Sequence, residues 1–142
     1  MPKNRWLLRL VTRVHRSIYI ASGGTIGGRL LWIRVLLLHN IGRKTGLLRK
    51  TPLLYVEDGP DWVIVASNGG ADHHPAWLHN LADRPKARIQ VGRTEVEVTW
   101  RKATPSECER LWPKLTRAYP FYPAYRRKAK REIPLVVLER AA

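Results

Sequence analysis

Apolar and polar residues alternate along the chain in a pattern that predicts mostly β-structure. In residues 94–101, Val96 and Val98 alternate with polar residues, which is the period-two pattern of a half-buried antiparallel strand. Turn pairs such as Asp58-Gly59 and Gly92-Arg93 separate the apolar runs. The pattern predicts strands at residues 31–39, 51–56, 62–66, 86–91, 94–101 and 133–138.

Two helices are predicted between these strands. The first has Asp72 or a neighbouring histidine as its cap and Pro75 in its first turn, and it ends near Leu81. The second begins at Thr104-Pro-Ser-Glu107, which matches a capping box with proline at the first helical position. Because antiparallel strands predominate, the expected fold class is α+β, a small barrel or half-barrel with packed helices over residues 31–142.

The first 30 residues predict a basic amphipathic helix followed by a glycine-rich connection. Leu7, Val11 and Val14 share one helical face, while Arg9 and Arg13 lie on the opposite face. Such a helix can lie on an anionic membrane surface, or its apolar face can pack on the protein's own core. No apolar run approaches the roughly 18 residues that span a bilayer. We therefore expect a cytoplasmic protein, either free or peripheral on the inner face of the cell membrane.

The charge of the chain calls for an anionic partner. The sequence has 26 Lys and Arg residues against 11 Asp and Glu residues, a net charge of +15, and no acidic residue precedes Glu57. Nucleic acid, an acidic membrane surface and a phosphorylated cofactor all fit this charge. The sequence has no helix-turn-helix, zinc-finger or RNP-like pattern, so we expect no specific nucleic acid as a partner.

The cysteine and histidine residues do not predict a disulfide, a nucleophilic thiol or a metal site. Cys108 is the only cysteine, so no internal disulfide can form, and we interpret it as a half-buried spectator thiol. His73, His74 and His79 lack the spacing and the accompanying ligands of a usual metal site, so no metal is expected.

The loop Gly42–Gly46 is the first candidate binding site. Its glycines let the backbone approach a ligand closely, and Thr45 supplies a hydroxyl group. Arg43, Lys44 and Arg49 add fixed positive charge, which suits a phosphate or a carboxylate tail. A basic, solvated hairpin tip explains the same residues equally well.

Two further stretches are candidates for contact with a ligand. Ala66-Ser-Asn-Gly-Gly-Ala71 is a glycine-rich turn before a helix N-terminus, which is a site that suits anions. Trp77 in that helix can pack against a flat ring system or anchor the helix in the core. Tyr119, Tyr122 and Tyr125 can stack on an aromatic substrate, hydrogen-bond to its oxygens or donate a proton. Alternatively, these tyrosines are amphipathic surface or core residues.

Together these stretches resemble the deazaflavin-dependent nitroreductase family, the actinobacterial split-barrel enzymes that use coenzyme F-420. The resemblance runs from roughly Leu31 to Glu139 and depends on the order and spacing of several short motifs. These motifs are Gly42-Arg-Lys-Thr-Gly46 with Arg49, Thr51-Pro-Leu-Leu-Tyr-Val56, Val65-Ala-Ser-Asn-Gly-Gly-Ala71, Pro75-Ala-Trp77, Leu111-Trp-Pro113, Tyr119-Pro-Phe-Tyr122 and Ile133-Pro-Leu-Val-Val137. The resemblance implies a split β-barrel of the FMN-binding-protein type.

The resemblance also implies a reaction and a set of site residues. A hydride passes from the reduced deazaflavin to an electrophilic acceptor such as a quinone or a nitro compound. Leu54 stands where some nitro-reducing members have tyrosine, so quinone reduction is the principal expectation. An FMN-binding split-barrel oxidoreductase is the alternative, because the same phosphate loop suits FMN. The residues expected on the catalytic or acceptor side are Ser67, Tyr119, Tyr122 and Tyr125. The residues expected to bind the cofactor, with its phosphate and polyglutamate tail at the basic loop, are Arg43, Lys44, Thr45, Arg49, Pro52, Ala66, Ser67, Asn68, Gly69, Gly70, Ala76 and Trp77.

Overall fold

Six antiparallel strands close into a barrel in the computed structural model, which describes residues 34–141. In chain order the strands are β1 (Val35–Ile41), β2 (Leu48–Asp58), β3 (Asp61–Val65), β4 (Lys86–Val91), β5 (Thr94–Lys102) and β6 (Leu135–Arg140). Around the barrel their order is β1-β2-β3-β6-β5-β4, and β4 pairs with β1 to close the ring. This architecture confirms the predicted antiparallel barrel.

Three helices and a short 3-10 turn connect the strands. They are the 3-10 turn Asn68–Gly70, α1 (Ala76–Asp83), α2 (Pro105–Ala118) and α3 (Tyr122–Lys128). All six predicted strands are present, with shifted ends: β1 and β2 run further into their hairpin, which closes at the pair Ile41 and Leu48. The predicted N-terminal helix, residues 31–33 of the first predicted strand and the domain boundary after residue 30 lie outside the described residues.

The barrel has two apolar layers because several strands are buried on both faces. In β3, Trp62 and Ile64 belong to the interior cluster, whereas Val63 and Val65 belong to an outer cluster. The outer cluster is completed by side chains of α2 and α3, among them Leu115. Helix α1 packs onto the interior layer through Trp77, Leu78 and Leu81, which are all buried.

The two predicted helix caps have different outcomes. The capping box of α2 is confirmed, because the Glu107 N–H donates to Thr104 Oγ1 at 3.2 Å and the Thr104 N–H donates to Glu107 Oε1 at 2.9 Å. The predicted cap of α1 is wrong: Pro75 occupies the N-cap position and no side chain caps the helix. The Asp72 carboxylate instead accepts the Lys130 N–H at 3.1 Å, which ties it to the segment after α3.

Candidate cofactor-binding groove

The basic loop is the turn of the β1–β2 hairpin, and its backbone is held in one conformation. The Gly42 N–H donates to the Leu47 carbonyl and the Gly46 N–H donates to the Gly42 carbonyl, both at 2.8 Å. A Cβ atom at Gly42 would lie 2.7 Å from Thr45 Oγ1, so a larger residue does not fit without a shift of that side chain. The loop therefore presents the exposed side chains of Arg43 and Lys44 from a fixed backbone.

Two buried asparagines fix this region against α1. Asn80, with 7% of its surface exposed, accepts the Arg43 N–H on Oδ1 at 3.0 Å. Asn40, with 3% exposed, donates from Nδ2 to the Trp77 carbonyl at 3.0 Å. The sequence analysis did not identify either residue. Asn40 lies near the end of an apolar strand and Asn80 on the inward face of a helix, and a polar residue at such a position indicates a buried hydrogen bond.

The turn after β3 forms the opposite wall. Asn68, Gly69 and Gly70 all have positive φ angles, of 47°, 65° and 82°. The Asn68 side chain donates to His73 Nδ1 at 3.0 Å and to the His73 carbonyl at 3.2 Å. A Cβ atom at Gly70 would lie 3.2 Å from both Cα and the carbonyl oxygen of Tyr125, so the turn packs closely on α3.

A groove of about 520 Å³ separates the basic loop from this turn. Its walls are Gly42, Arg43, Lys44, Thr45, Arg49, Asn68, His73, His74, Ala76, His79 and Asn80. Of the described residues, none that lines the groove is an aspartate or a glutamate. The groove therefore has the charge of an anion-binding site.

The predicted cofactor-binding residues fall into three groups. Six of them line the groove, namely Arg43, Lys44, Thr45, Arg49, Asn68 and Ala76. Ser67, Gly69 and Gly70 belong to the turn that forms its wall. The remaining three lie apart from it, because Ala66 is fully buried at the end of β3, Trp77 is 6% exposed within the barrel core, and Pro52 is half-buried in β2. Contacts of all twelve residues with the cofactor stay predictions.

The three tyrosines form a continuous aromatic cluster on the outer side of the barrel. The rings of Tyr119 and Tyr122 are 5.7 Å apart, and those of Tyr122 and Tyr125 are 6.1 Å apart. The Tyr119 hydroxyl lies 2.7 Å from the Tyr55 carbonyl and 3.2 Å from the Arg34 carbonyl, both of which can accept its proton. Burial raises the pKa of Tyr119 and Tyr122, so both stay protonated at neutral pH. The cluster adjoins the groove turn where Tyr125 packs against Gly70.

Arg131 is a residue of this region that sequence reasoning did not find. Its guanidinium donates to the carbonyls of Ala71 at 3.0 Å, Ser67 at 3.1 Å and Ala66 at 3.2 Å. It also donates to Nδ1 of His74 at 3.0 Å. No local sequence pattern predicts these contacts, because Arg131 lies about 60 positions from its partners.

The contact with Arg131 sets the protonation state of His74. Because arginine has no acceptor, Nδ1 must accept and the imidazole carries its proton on Nε2. Burial, followed by the positive charge of Arg131 and of the neighbouring histidines, lowers the pKa of His74. His74 is therefore a neutral hydrogen-bond donor at neutral pH.

A second cavity, larger at about 690 Å³, lies on the α2 side of Arg131 and contains none of the predicted site residues. Lys102, Cys108 and Trp112 line it together with Glu109 and Glu132, so its charge is mixed. Burial raises the pKa of the half-buried Cys108 thiol, as befits a spectator rather than a nucleophile. Within residues 34–141 no three His, Cys, Asp or Glu side chains are grouped as metal ligands.

A family model described as F420H(2)-dependent quinone reductase matches residues 11–140 of this chain. The chain belongs to the F420H(2)-dependent quinone reductase family. The predicted family is thus confirmed, and with it the assignment to the deazaflavin-dependent quinone reductases, with coenzyme F-420 as the cofactor.

Relatives within the F420H(2)-dependent quinone reductase family match nearly the whole chain. An F420H(2)-dependent quinone reductase of Mycobacterium tuberculosis is 38% identical over an alignment that covers 99% of each chain. A solved structure described as an F420-H2 dependent reductase is 34% identical, covers 74% of this chain and 93% of its own, and superposes with a TM-score of 0.67.

More distant structures share the fold alone. The heme storage protein HutZ of Vibrio cholerae is 10% identical and superposes with a TM-score of 0.58 over 76% of this chain. In the part of the chain that the structure describes, no helix is both long and apolar enough to cross a membrane.

Proposed function

We propose that this protein binds coenzyme F-420 with its acidic tail in the groove and reduces a quinone by hydride transfer. The observation that carries the proposal is the groove itself, where the basic loop and the turn after β3 meet. Three cationic side chains and three histidines line it, and none of its described lining residues is acidic. A phosphodiester and a glutamate tail carry several negative charges, so the residues present fit this cofactor.

The side chains divide into those that bind and those that orient. Arg43, Lys44 and Arg49 would hold the anionic part, with the Thr45 hydroxyl as a further donor. Asn68 gives its amide N–H groups to His73, so its role is to hold the groove wall in place. The neutral His74 offers its Nε2–H as a donor without adding charge.

The chemistry divides between the cofactor and the protein. When bound, reduced F-420 supplies the hydride, and its two electrons and two hydrogens account for those gained by a quinone on becoming a hydroquinone. The protein positions both partners and excludes water from them. Ser67, Tyr122 and Tyr125 remain proposed for the acceptor side, while the Tyr119 hydroxyl is already engaged by main-chain carbonyls.

A binding titration with a matched pair of variants tests the proposal. Arg43→Ala removes a groove cation, and Arg93→Ala removes an exposed cation at the distant β4–β5 turn. We expect Arg43→Ala to weaken F-420 binding about tenfold and Arg93→Ala to change it less than twofold. Oxidation of reduced F-420 by a soluble naphthoquinone should depend on the protein. Tight FMN binding without F-420 binding would favour the FMN alternative and refute this assignment.

We also propose that the protein associates peripherally with anionic membranes. The hairpin tip supports this, because Leu47 and Leu48 are 58% and 56% exposed and sit beside the cations of the basic loop. Flotation of the full chain with phosphatidylglycerol vesicles tests it. Leu47→Ser with Leu48→Ser should reduce flotation, whereas Phe121→Ser, which removes an exposed aromatic residue elsewhere, should not. Equal flotation of all three proteins would exclude the hairpin tip. The cytoplasmic location stays a prediction.

A further inference from the structure

The carbonyl groups that Arg131 binds belong to the groove wall. A guanidinium group commonly pairs with a carboxylate, yet the ion pairs formed within residues 34–141 do not include Arg131. Its donors instead converge on the carbonyls of Ala66, Ser67 and Ala71, which stand at the start and the end of the turn. Charge-assisted hydrogen bonds of this kind are about twice as strong as neutral ones.

The turn receives support from outside its own backbone. Three consecutive residues, Asn68 to Gly70, have positive φ angles, a conformation that glycine adopts freely and that asparagine tolerates. Inside the turn only two backbone hydrogen bonds are found, from the Gly70 N–H to Ser67 and from the Ala71 N–H to Asn68. The Asn68 side chain ties the turn to His73, and the Arg131 guanidinium adds three hydrogen bonds to carbonyls at its two ends.

Strand pairing places Arg131 where it can act. The pair Val65 and Leu135 is the last in the β3–β6 ladder, and beyond it the Ala66 N–H donates to the Pro134 carbonyl at 3.0 Å. The segment that leads into β6 therefore runs beside the segment that leads out of β3. Arg131 lies on this path, where it lines the second cavity and is not among the residues that line the groove.

We propose that Arg131 is a positioning residue of the cofactor groove. By holding three carbonyls of the turn and Nδ1 of His74, it fixes the wall that faces the basic loop. This inference rests on the proposed function, because the groove matters only if it holds the cofactor. Arg131 acts through the turn and through His74 and is not itself expected to touch the cofactor.

His74 gives the inference a second readout. The groups around it are cationic or neutral: Arg131 from the segment before β6, His73 beside it, His79 from α1 and Lys102 from β5. Arg131 occupies Nδ1 and opposes protonation by its charge. Without the guanidinium, Nδ1 is free to take up a proton, so His74 should titrate at a higher pH.

The test compares Arg131→Gln with Arg127→Gln in the full chain. Both variants remove one positive charge, and Arg127 is an exposed residue in the last turn of α3, on the element that packs against the same turn. The measurements are the Kd and KM for F-420, kcat with a naphthoquinone, and the titration of His74 by NMR in the free protein, assigned with a His74→Gln spectrum. Arg131→Lys serves as the variant that keeps the charge but loses the fork of donors.

We expect Arg131→Gln to raise the Kd and KM for F-420 about tenfold, while kcat falls less than threefold. The tenfold rise in Kd corresponds to about 1.4 kcal/mol of binding free energy. The pKa of His74 should rise, and Arg131→Lys should lie between this variant and the parent in both properties. Arg127→Gln should match the parent within twofold. If Arg131→Gln does not fold, Arg131→Lys carries the comparison.

Two outcomes would overturn the inference, and a third concerns the cofactor alone. If Arg131→Gln binds F-420 as Arg127→Gln does, Arg131 has no positioning role in the groove. If the His74 titration is unchanged, the contact with Nδ1 does not hold that ring. If the parent protein itself does not bind F-420, the proposed function fails, whereas the His74 titration still decides whether Arg131 positions the wall.

Discussion

The close approach of the groove turn to α3 leads to a prediction that two neighbouring glycines can test. Gly69 and Gly70 both have positive φ angles, 65° and 82°. A Cβ at Gly69 would meet no atom within 4 Å, whereas a Cβ at Gly70 would lie 3.2 Å from two backbone atoms of Tyr125. Alanine at Gly69 therefore introduces only backbone strain, and alanine at Gly70 introduces the same strain together with a steric overlap.

The magnitudes follow from these two contributions. Positive φ costs an alanine about 1–2 kcal/mol in the folded state. The reduced entropy of the unfolded chain offsets part of this cost equally in both variants. The overlap at Gly70 adds about 1–3 kcal/mol, because backbone atoms of a helix cannot rotate away as a side chain can. Gly70→Ala should thus be less stable than Gly69→Ala by at least about 1 kcal/mol.

Urea unfolding of the two variants and the parent, followed by circular dichroism, measures this difference. For a chain of this size, 1 kcal/mol corresponds to roughly 4 °C in Tm, so thermal unfolding provides an independent check. The slope of the unfolding free energy against urea should stay constant, since neither change alters the surface exposed on unfolding. Equal destabilisation by the two substitutions would refute the packing of this turn against α3.

Three further predictions concern residues that hold the site and the barrel. Asn80→Leu keeps the volume of a buried side chain but removes the acceptor for the Arg43 amide in the basic loop. The unfolding free energy measured in urea titrations should therefore fall by about 1–2 kcal/mol, and F-420 should bind several-fold more weakly. Unchanged binding would show that the loop needs no anchor on α1. The Arg101 guanidinium holds the pKa of Glu107 at about 2, below its ordinary 4.5, so the pair should stabilise the fold above pH 4.5 and lose this contribution as pH falls towards 2. Urea midpoints between pH 2.5 and 6 should show this loss in the parent and a smaller one in Glu107→Gln. Tyr119→Phe should cost about 1 kcal/mol of stability through the lost bond to the Tyr55 carbonyl and leave kcat within twofold, and a large fall in kcat would instead assign Tyr119 to catalysis.

The sequence predicts those features that depend on local chemistry. The alternation in β5 and the capping box at Thr104 need only neighbouring residues, and both are found where the pattern puts them. The inward and outward residues of β3 do not alternate in polarity, because the barrel interior buries one face and α2 with α3 the other. Sequence alone thus recognises β3 as apolar without telling which side chains enter the barrel.

The sequence predicts the two walls of the groove separately but does not predict that they face each other. Glycine and charge mark the basic loop and the turn after β3, but what joins them comes from distant positions. Asn80 reaches Arg43 across 37 positions, and Arg131 reaches Ser67 across 64. Such contacts depend on the closure of the barrel, and a single sequence holds no local signal for them. Trp77 is a further example. Its position in the helix is compatible with contact to a ligand ring or with burial in the core, and the packing of α1 on the barrel decides for burial.

The closure of the barrel also bears on how the chain folds. Strand β1 joins β2 through seven residue pairs but joins β4 through three, Leu37 with Gln90, Leu38 with Ile89 and His39 with Arg88. Those three pairs connect positions 49 to 53 apart, against 7 to 19 in the β1–β2 hairpin, so closing this seam costs more loop entropy than closing the hairpin. Hydrogen exchange should therefore show the amides at the β1–β4 seam opening before those of the β1–β2 hairpin. Because β1 leads directly into the basic loop, transient opening of this seam would loosen the strand that carries one side of the groove.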